Sequence, residues 1–289
     1  MHVHGDNLTQ KENHPKKYQD SKSKEFLNEI REKYDEWKRA NEELKGPFSE
    51  KKDTDKDVLQ KRVAFFENYK NFIDQQKYAE KFDSRSNLHS SVIEEFIYYI
   101  FKDLVKEFSE TALIGKAHTF KDLFFLPDSY KEMVEKPNVK MEKKDHDFVI
   151  GATIIGKMSC QGKSEIEEHE FQIPAVAIEC KTYLDKTMLE GSSTAAEQLK
   201  YRNPNAIYIV VAEWLKLTES VNLKKFKVDQ IYILRKQKNT DREYRFLESY
   251  VKNPIYFDVI SHLFEMVREH LNQDWQGGIT YGLERGYLI

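Results

Sequence analysis

Glu179 and Lys181 stand two residues apart in the segment AVAIECKTYL. In an extended chain alternate side chains leave opposite faces, so both charges share one face while Ile178 and Cys180 take the other. An acid-x-Lys triplet means little by itself, because Asp20/Lys22, Glu36/Lys38, Glu43/Lys45 and Glu142/Lys144 also form one within solvated, charge-rich stretches. Only the Glu179 triplet follows a run of apolar strand residues. Upstream, KKDHDFVIGATIIG reads as another strand that begins with Asp145 and Asp147, and the polar turn QGKSEIEEHE between the two runs predicts antiparallel neighbours. Where Asp147 faces Glu179 across such a ladder, two carboxylates come within about 4 to 6 Å and repel by roughly 1 kcal/mol in a water-like dielectric, and more strongly near an interior. Lys181 offsets part of this. A hard divalent cation does so better, and Mg²⁺ takes one or two carboxylates and completes its shell with water and phosphate oxygens. Two acids, a cation and an amine suit phosphodiester hydrolysis: the ion lowers the pKa of a bound water, and Lys181 orients that water or helps to deprotonate it.

The elements that must position these groups are legible from periodicity. Residues 1–20 carry almost no large apolar side chains and are expected to form a mobile polar arm. Phe26, Ile30, Tyr34, Trp37 and Leu44 then recur at helical spacing up to a stop at Gly46-Pro47. Val58, Leu59, Val63, Phe66, Tyr69 and Ile73 make a second amphipathic helix. A third starts near the cap candidates Ser86, Asn87 and Ser90 and runs through Val92, Ile93, Phe96, Ile97, Ile100, Leu104 and Val105. Residues 21–110 are therefore expected to be a helical region serving DNA binding or dimerisation, and residues 111–289 a sheet-containing core. Within that core DFVIGATII, FQIPAVAIEC, NAIYIVVAEW and VDQIYILR read as strands. A helix over 193–202 suits a crossover between the second and third of them. A last helix, with Pro254 at or near its first position, precedes a tail holding Trp275, Gly277, Gly278 and Tyr281.

Asp147, Glu179 and Lys181, followed by a crossover helix and the buried run AIYIVVAE, resemble the PD-(D/E)XK nuclease superfamily. The longer string DHDFVIG with AIECKTYLDKTMLEGSSTAAEQLK looks like the type II restriction endonucleases of the BbvCI and DdeI kind, over about residues 85–212. His146 stands where the superfamily often has proline, and Pro127-Asp128 lies outside any evident strand. The resemblance implies an α/β core, a mixed central sheet flanked by helices and preceded by the helical region. It implies Mg²⁺, with Mn²⁺ substituting, held by Asp147, Glu179 and the main-chain carbonyl of Cys180. Lys181 serves the attacking water. An acid from a preceding helix supports the site, and Ser90-x-x-Ile93-Glu94 fits that context, with Glu95 as the rival because the helical wheel puts both at the boundary of the apolar face. Gln198 and Lys200 occupy the helix where relatives often point a polar group at the metal or phosphate. The implied activity is cleavage of double-stranded DNA at a short sequence, by a homodimer or by a heterodimer with a related subunit.

Composition bounds the rest. With 289 residues, 39% of them apolar, the chain has material for a real core, and 46 Lys+Arg against 49 Asp+Glu leave a net charge of -3. This is no polycation, so a nucleic acid must be met by local patches such as Lys143/Lys144 or Lys224, Lys225 and Lys227 around Phe226. No apolar run reaches eighteen residues and the N-terminal stretch is polar, which argues for a cytoplasmic protein without membrane contact. Cys160 and Cys180 allow no disulfide framework, and His89, His118, His146 and His169 are too scattered for a zinc centre. Two alternatives stay open: a structure-selective repair or recombination nuclease with the same chemistry, and a non-catalytic DNA-binding or assembly protein.

Overall fold

The computed structural model describes residues 2–82, 87–238, 246–275 and 279–286. Five strands lie side by side in chain order: β1 (Leu113–Phe125), β2 (Val139–Met158), β3 (Glu167–Leu184), β4 (Ile207–Leu215) and β5 (Gln230–Ile233). The first three form an antiparallel meander, whereas β3, β4 and β5 run parallel. The helices are α1 (Val3–Glu12), α2 (Ser21–Glu43), α3 (Asp55–Ile73), α4 (Gln76–Lys81), α5 (Leu88–Phe108), α6 (Tyr130–Met133), α7 (Lys186–Arg202), α8 (Phe257–Asn272) and α9 (Ile279–Arg285). A parallel pair needs a crossover, and α7 supplies it between β3 and β4.

The apolar run IYIVVAEWL of β4 is covered on both faces, as a continuous hydrophobic strand requires. On one face Ile178, Cys180, Ile209 and Val211 pack with α5 and α8. On the other, Ala177, Val210 and Ala212 meet Ala195, Ala196 and Leu199 of α7. Helix α5 is apolar on nearly all sides because it is central: Val92, Ile93, Phe96, Ile97, Ile100 and Phe101 are fully buried between the sheet and the layer of α1, α2 and α3. One continuous core thus runs from Leu8 through α5 to the sheet and α8, so the expected division near residue 110 is not a boundary of packing.

The expectation of a mobile arm is overturned, since Val3–Glu12 is a helix docked on α5. Low apolar content concealed it: beyond Leu8, polar bonds fasten this segment. His4 sits with Nδ1 2.8 Å from Ser91 Oγ and Nε2 2.7 Å from Tyr69 OH, and the Glu95 carboxylate accepts the main-chain N–H groups of His4 and Gly5 at 2.8 and 3.2 Å. Helix α7 begins seven residues before the expected 193, because the Asp185 side chain caps it by accepting the Met188 N–H at 2.8 Å, and Gly191 lies within the helix with open space around it. Pro254 falls two residues before the N-cap Tyr256, outside α8. Of the cap candidates, Asn87 precedes α5 in a left-handed conformation without a side-chain cap and Ser90 lies inside the helix. Ser86, Gly277 and Gly278 lie outside the described residues.

Candidate active site

The ladder between β2 and β3 ends at the pair Phe148–Ile178. One residue further the side chain of Asp147 takes over from the backbone, and its Oδ2 accepts the Cys180 N–H at 2.9 Å. The same oxygen accepts from Lys181 Nζ at 3.2 Å, while Nζ also donates to Glu179 Oε1 at 2.5 Å. Asp147, Glu179 and Lys181 therefore converge as their spacing predicts, with side chains 23%, 20% and 26% exposed, open enough for a substrate. The other Glu179 oxygen accepts from Tyr208 OH at 3.2 Å. Tyr208 was not singled out from the sequence. Its signal was the alternation of β4, which puts it on the face of Ala177, but only the parallel register brings it beside Glu179.

Glu94 approaches from α5. It is buried, its Oε2 has no hydrogen-bond partner, and the nearest cation is Lys116 Nζ of β1 at 3.8 Å. Burial and then the charge of Asp147 push its pKa up to about 7. Burial and the neighbouring Glu179 likewise raise Asp147 above the usual carboxylate range. Burial opposes the Lys181 ammonium, but Asp147 and Glu179 outweigh it and hold that group above an ordinary lysine, so Lys181 stands here as a cation between two acids.

The donor set agrees with a hard divalent ion. Asp147 and Glu179 share the Lys181 ammonium, Glu94 has only Lys116 at 3.8 Å, and one carboxylate oxygen is buried without a donor. Among the described residues no three His, Cys, Asp or Glu side chains are gathered into a ready metal cage. An ion here would rest on two carboxylates and keep room for water and phosphate oxygens, as Mg²⁺ prefers.

The other candidates fall elsewhere. Glu95 faces the helical layer, where Tyr34 and Tyr99 each donate to its Oε1 at 3.0 Å. Asp145 is exposed and paired with His118. Lys200 is tied to the Lys227 carbonyl and Asp229 at 2.9 and 2.7 Å. Gln198 lines a small cavity with Thr119, Lys144 and His146. His146 is buried edge-on to Tyr208. His89 pairs with Asp74 and His169 with Glu167. Trp275 stacks on His270 of α8, while Tyr281 bonds Arg285.

Comparison with known proteins matches this frame. The family model of the Bpu10I restriction endonuclease matches residues 85–288, which takes in α5, the sheet and α8. No curated protein matches the chain. Among solved structures, a chain of the native BbvCI A2B2 tetramer superposes with a TM-score of 0.68 at 21% identity, over 92% of this chain and 96% of that one, which shows a common fold. The mixed sheet with its flanking helices is accordingly an α/β restriction-endonuclease-like fold. The chain belongs to the Bpu10I restriction endonuclease family and is a type II restriction endonuclease, a site-specific deoxyribonuclease.

Proposed function

We propose that this enzyme hydrolyses double-stranded DNA at a short sequence with Mg²⁺, or Mn²⁺ in its place, bound by Asp147, Glu179 and the main-chain carbonyl of Cys180. The convergence of Asp147, Glu179 and Lys181, with the donorless Glu94 oxygen beside them, carries this reading. The bound ion supplies an activated water and neutralises charge on the phosphate. Lys181, held as an ammonium, orients the attacking water and balances the charge that builds on the phosphate. Glu94, with its pKa near neutrality, takes up or gives a proton at the margin of the site. Tyr208 fixes the Glu179 carboxylate by its hydroxyl.

Cleavage of both strands calls for two such sites, and we assign them to a pair of subunits, alike or related. The BbvCI chain that shares this fold is described as part of an A2B2 tetramer, which favours an assembly of this kind. No described helix is long and apolar enough to cross a membrane. We place the enzyme in the cytoplasm, where its substrate is.

The decisive experiment incubates the purified chain with plasmid DNA and Mg²⁺, with EDTA as control, and sequences the fragment ends. One recurring short motif is the expected result. Scattered ends or cuts at branch points would favour a repair nuclease, and binding without hydrolysis would leave only a DNA-binding protein.

A further inference from the structure

The carboxyl ends of β3 and β4 carry a second feature that the hydrolytic site does not use. Where the chain leaves β3 for α7 and leaves β4 for the loop that follows, a cavity of about 290 Å³ is lined by Lys186, Lys216, Lys225, Thr218, Ser220 and Asn222. The loop is pinned to the strand end, since the Lys216 N–H donates to the Leu184 carbonyl at 2.8 Å. The Asn222 side chain accepts the Lys224 N–H at 3.1 Å and shapes the turn that brings Lys225 to the rim. Of the three ammonium groups only Lys186 has a carboxylate within reach, Glu190 at 3.8 Å. Among the described residues Lys216 and Lys225 pair with no acid, and their nearest aromatic neighbours are the rings of Tyr183 and Phe226 at 5.8 and 5.0 Å. On and beside the sheet, by contrast, Lys121 pairs with Glu142, Lys157 with Glu168, Lys163 with Glu135 and Lys200 with Asp229. A concave site with unneutralised cations and hydroxyl and amide donors fits an anion.

Its position says which anion. Glu179 and Lys181 share the α7 face of the sheet with Ala177, as do Tyr208 and Ala212 on β4. Lys186 opens α7 on that same face. Lys181 is in register with Ala212, four residues before Lys216, a run of about 13 Å along a parallel strand. Ligands of open α/β sheets bind beyond the carboxyl ends of the parallel strands. Phosphates recur along a DNA strand at short, regular intervals, so a run of this length spans a few nucleotides of one backbone.

We propose that Lys216 and Lys225, with Lys186 and the polar groups of Thr218, Ser220 and Asn222, form a backbone-phosphate subsite that grips the DNA strand a few nucleotides from the scissile phosphate. This rests on the hydrolytic site lying at Asp147, Glu179 and Lys181. The subsite holds phosphate oxygens and reads no bases, so it sets register and affinity without contributing to sequence choice.

The test is the salt dependence of DNA binding, measured in EDTA by fluorescence anisotropy with a labelled 30-base-pair duplex. Each neutralised phosphate adds about 0.9 to the slope of log K against log salt. The double variant Lys216→Ala/Lys225→Ala should lower that slope by about 1.8, so that between 50 and 200 mM salt it loses about tenfold less affinity than the parent chain. Thermal melting confirms that the double variant is folded. A slope unchanged to within about half a unit overturns the subsite. Lys181→Ala, run beside it with plasmid and Mg²⁺, separates the two readings: cutting by that variant defeats the hydrolytic site, whereas an unchanged slope in the double variant defeats only the phosphate grip.

Discussion

Glu94 and Glu95 are adjacent on α5, yet one carboxylate has an oxygen with no hydrogen-bond donor and the other accepts four bonds, from the His4 and Gly5 N–H groups and the Tyr34 and Tyr99 hydroxyls. A helix turns about 100° per residue, so neighbouring side chains on a buried helix meet different layers. Glu95 binds the helical layer together, and its saturation fixes the rotation of α5 that leaves Glu94 facing Asp147. On the proposed reading, the pair divides the work of holding the fold from that of serving the site.

Glu94→Gln tests the second half of that division. Because folding raises the Glu94 pKa to about 7, the ionised group is strained at and above neutral pH, and the folded state binds the extra proton between about pH 4.5 and 7. Stability from this residue therefore falls as pH rises through that window. Urea denaturation in EDTA at pH 8 should find the glutamine variant more stable by roughly 1 to 3 kcal/mol, while plasmid cleavage drops by on the order of 10²-fold. A variant that loses stability and keeps full cleavage would show Glu94 to be a packing residue.

Removal of residues 2–12 tests the first half. Without α1 the Glu95 carboxylate loses two main-chain donors inside the core and the fully buried Leu8 leaves a void against the helical layer. Either loss costs about 1 to 3 kcal/mol, so the truncated chain should unfold about 2 to 5 kcal/mol more readily. A stability within about 0.5 kcal/mol of the full chain would mean that the helix contributes nothing.

Lys181→Ala probes the ammonium that bridges Asp147 and Glu179. Its loss leaves two carboxylates facing each other with no other cation paired to them among the described residues, so hydrolysis should fall below detection while EDTA-phase DNA binding stays within about threefold. Substantial Mg²⁺-dependent cutting by the variant would remove Lys181 from the chemistry. Lys181→Arg keeps the charge but not the compact ammonium, and should recover little of the rate.

What the sequence disclosed, and what it hid, follows from the range of the forces involved. Period-two alternation placed Glu179 and Lys181 on one face, and the polar turn between two apolar runs made β2 and β3 antiparallel, so the central triad was legible. The choice of Glu94 over Glu95 was not settled by the helical wheel, because it depends on what α1, α2 and the sheet present to each side of α5. Tyr208 was hidden for a similar reason, since its link to Glu179 arises from the register of two parallel strands joined through α7. The arm at residues 1–20 was misread because counting apolar side chains says nothing of a histidine and two main-chain N–H groups that find buried partners.

His4 extends that last point into a pH dependence. It is fully buried, and burial first, then the positive neighbours Lys11, His89, Arg31 and Lys70, depress its pKa well below the ordinary value of 6.5. The neutral ring is the form that bonds Ser91 and Tyr69 in the fold, whereas the unfolded chain takes up a proton near 6.5. Between the two pKa values the unfolded state binds more protons, so the stability due to His4 is complete above 6.5 and is lost as pH falls toward the folded value, at up to about 1.4 kcal/mol per pH unit. His4→Gln removes that titration while keeping a polar side chain in the site. Urea denaturation at pH 7, 6 and 5 should show the parent losing its advantage over the variant as pH falls, and a difference that stays constant across the three would refute a buried neutral His4.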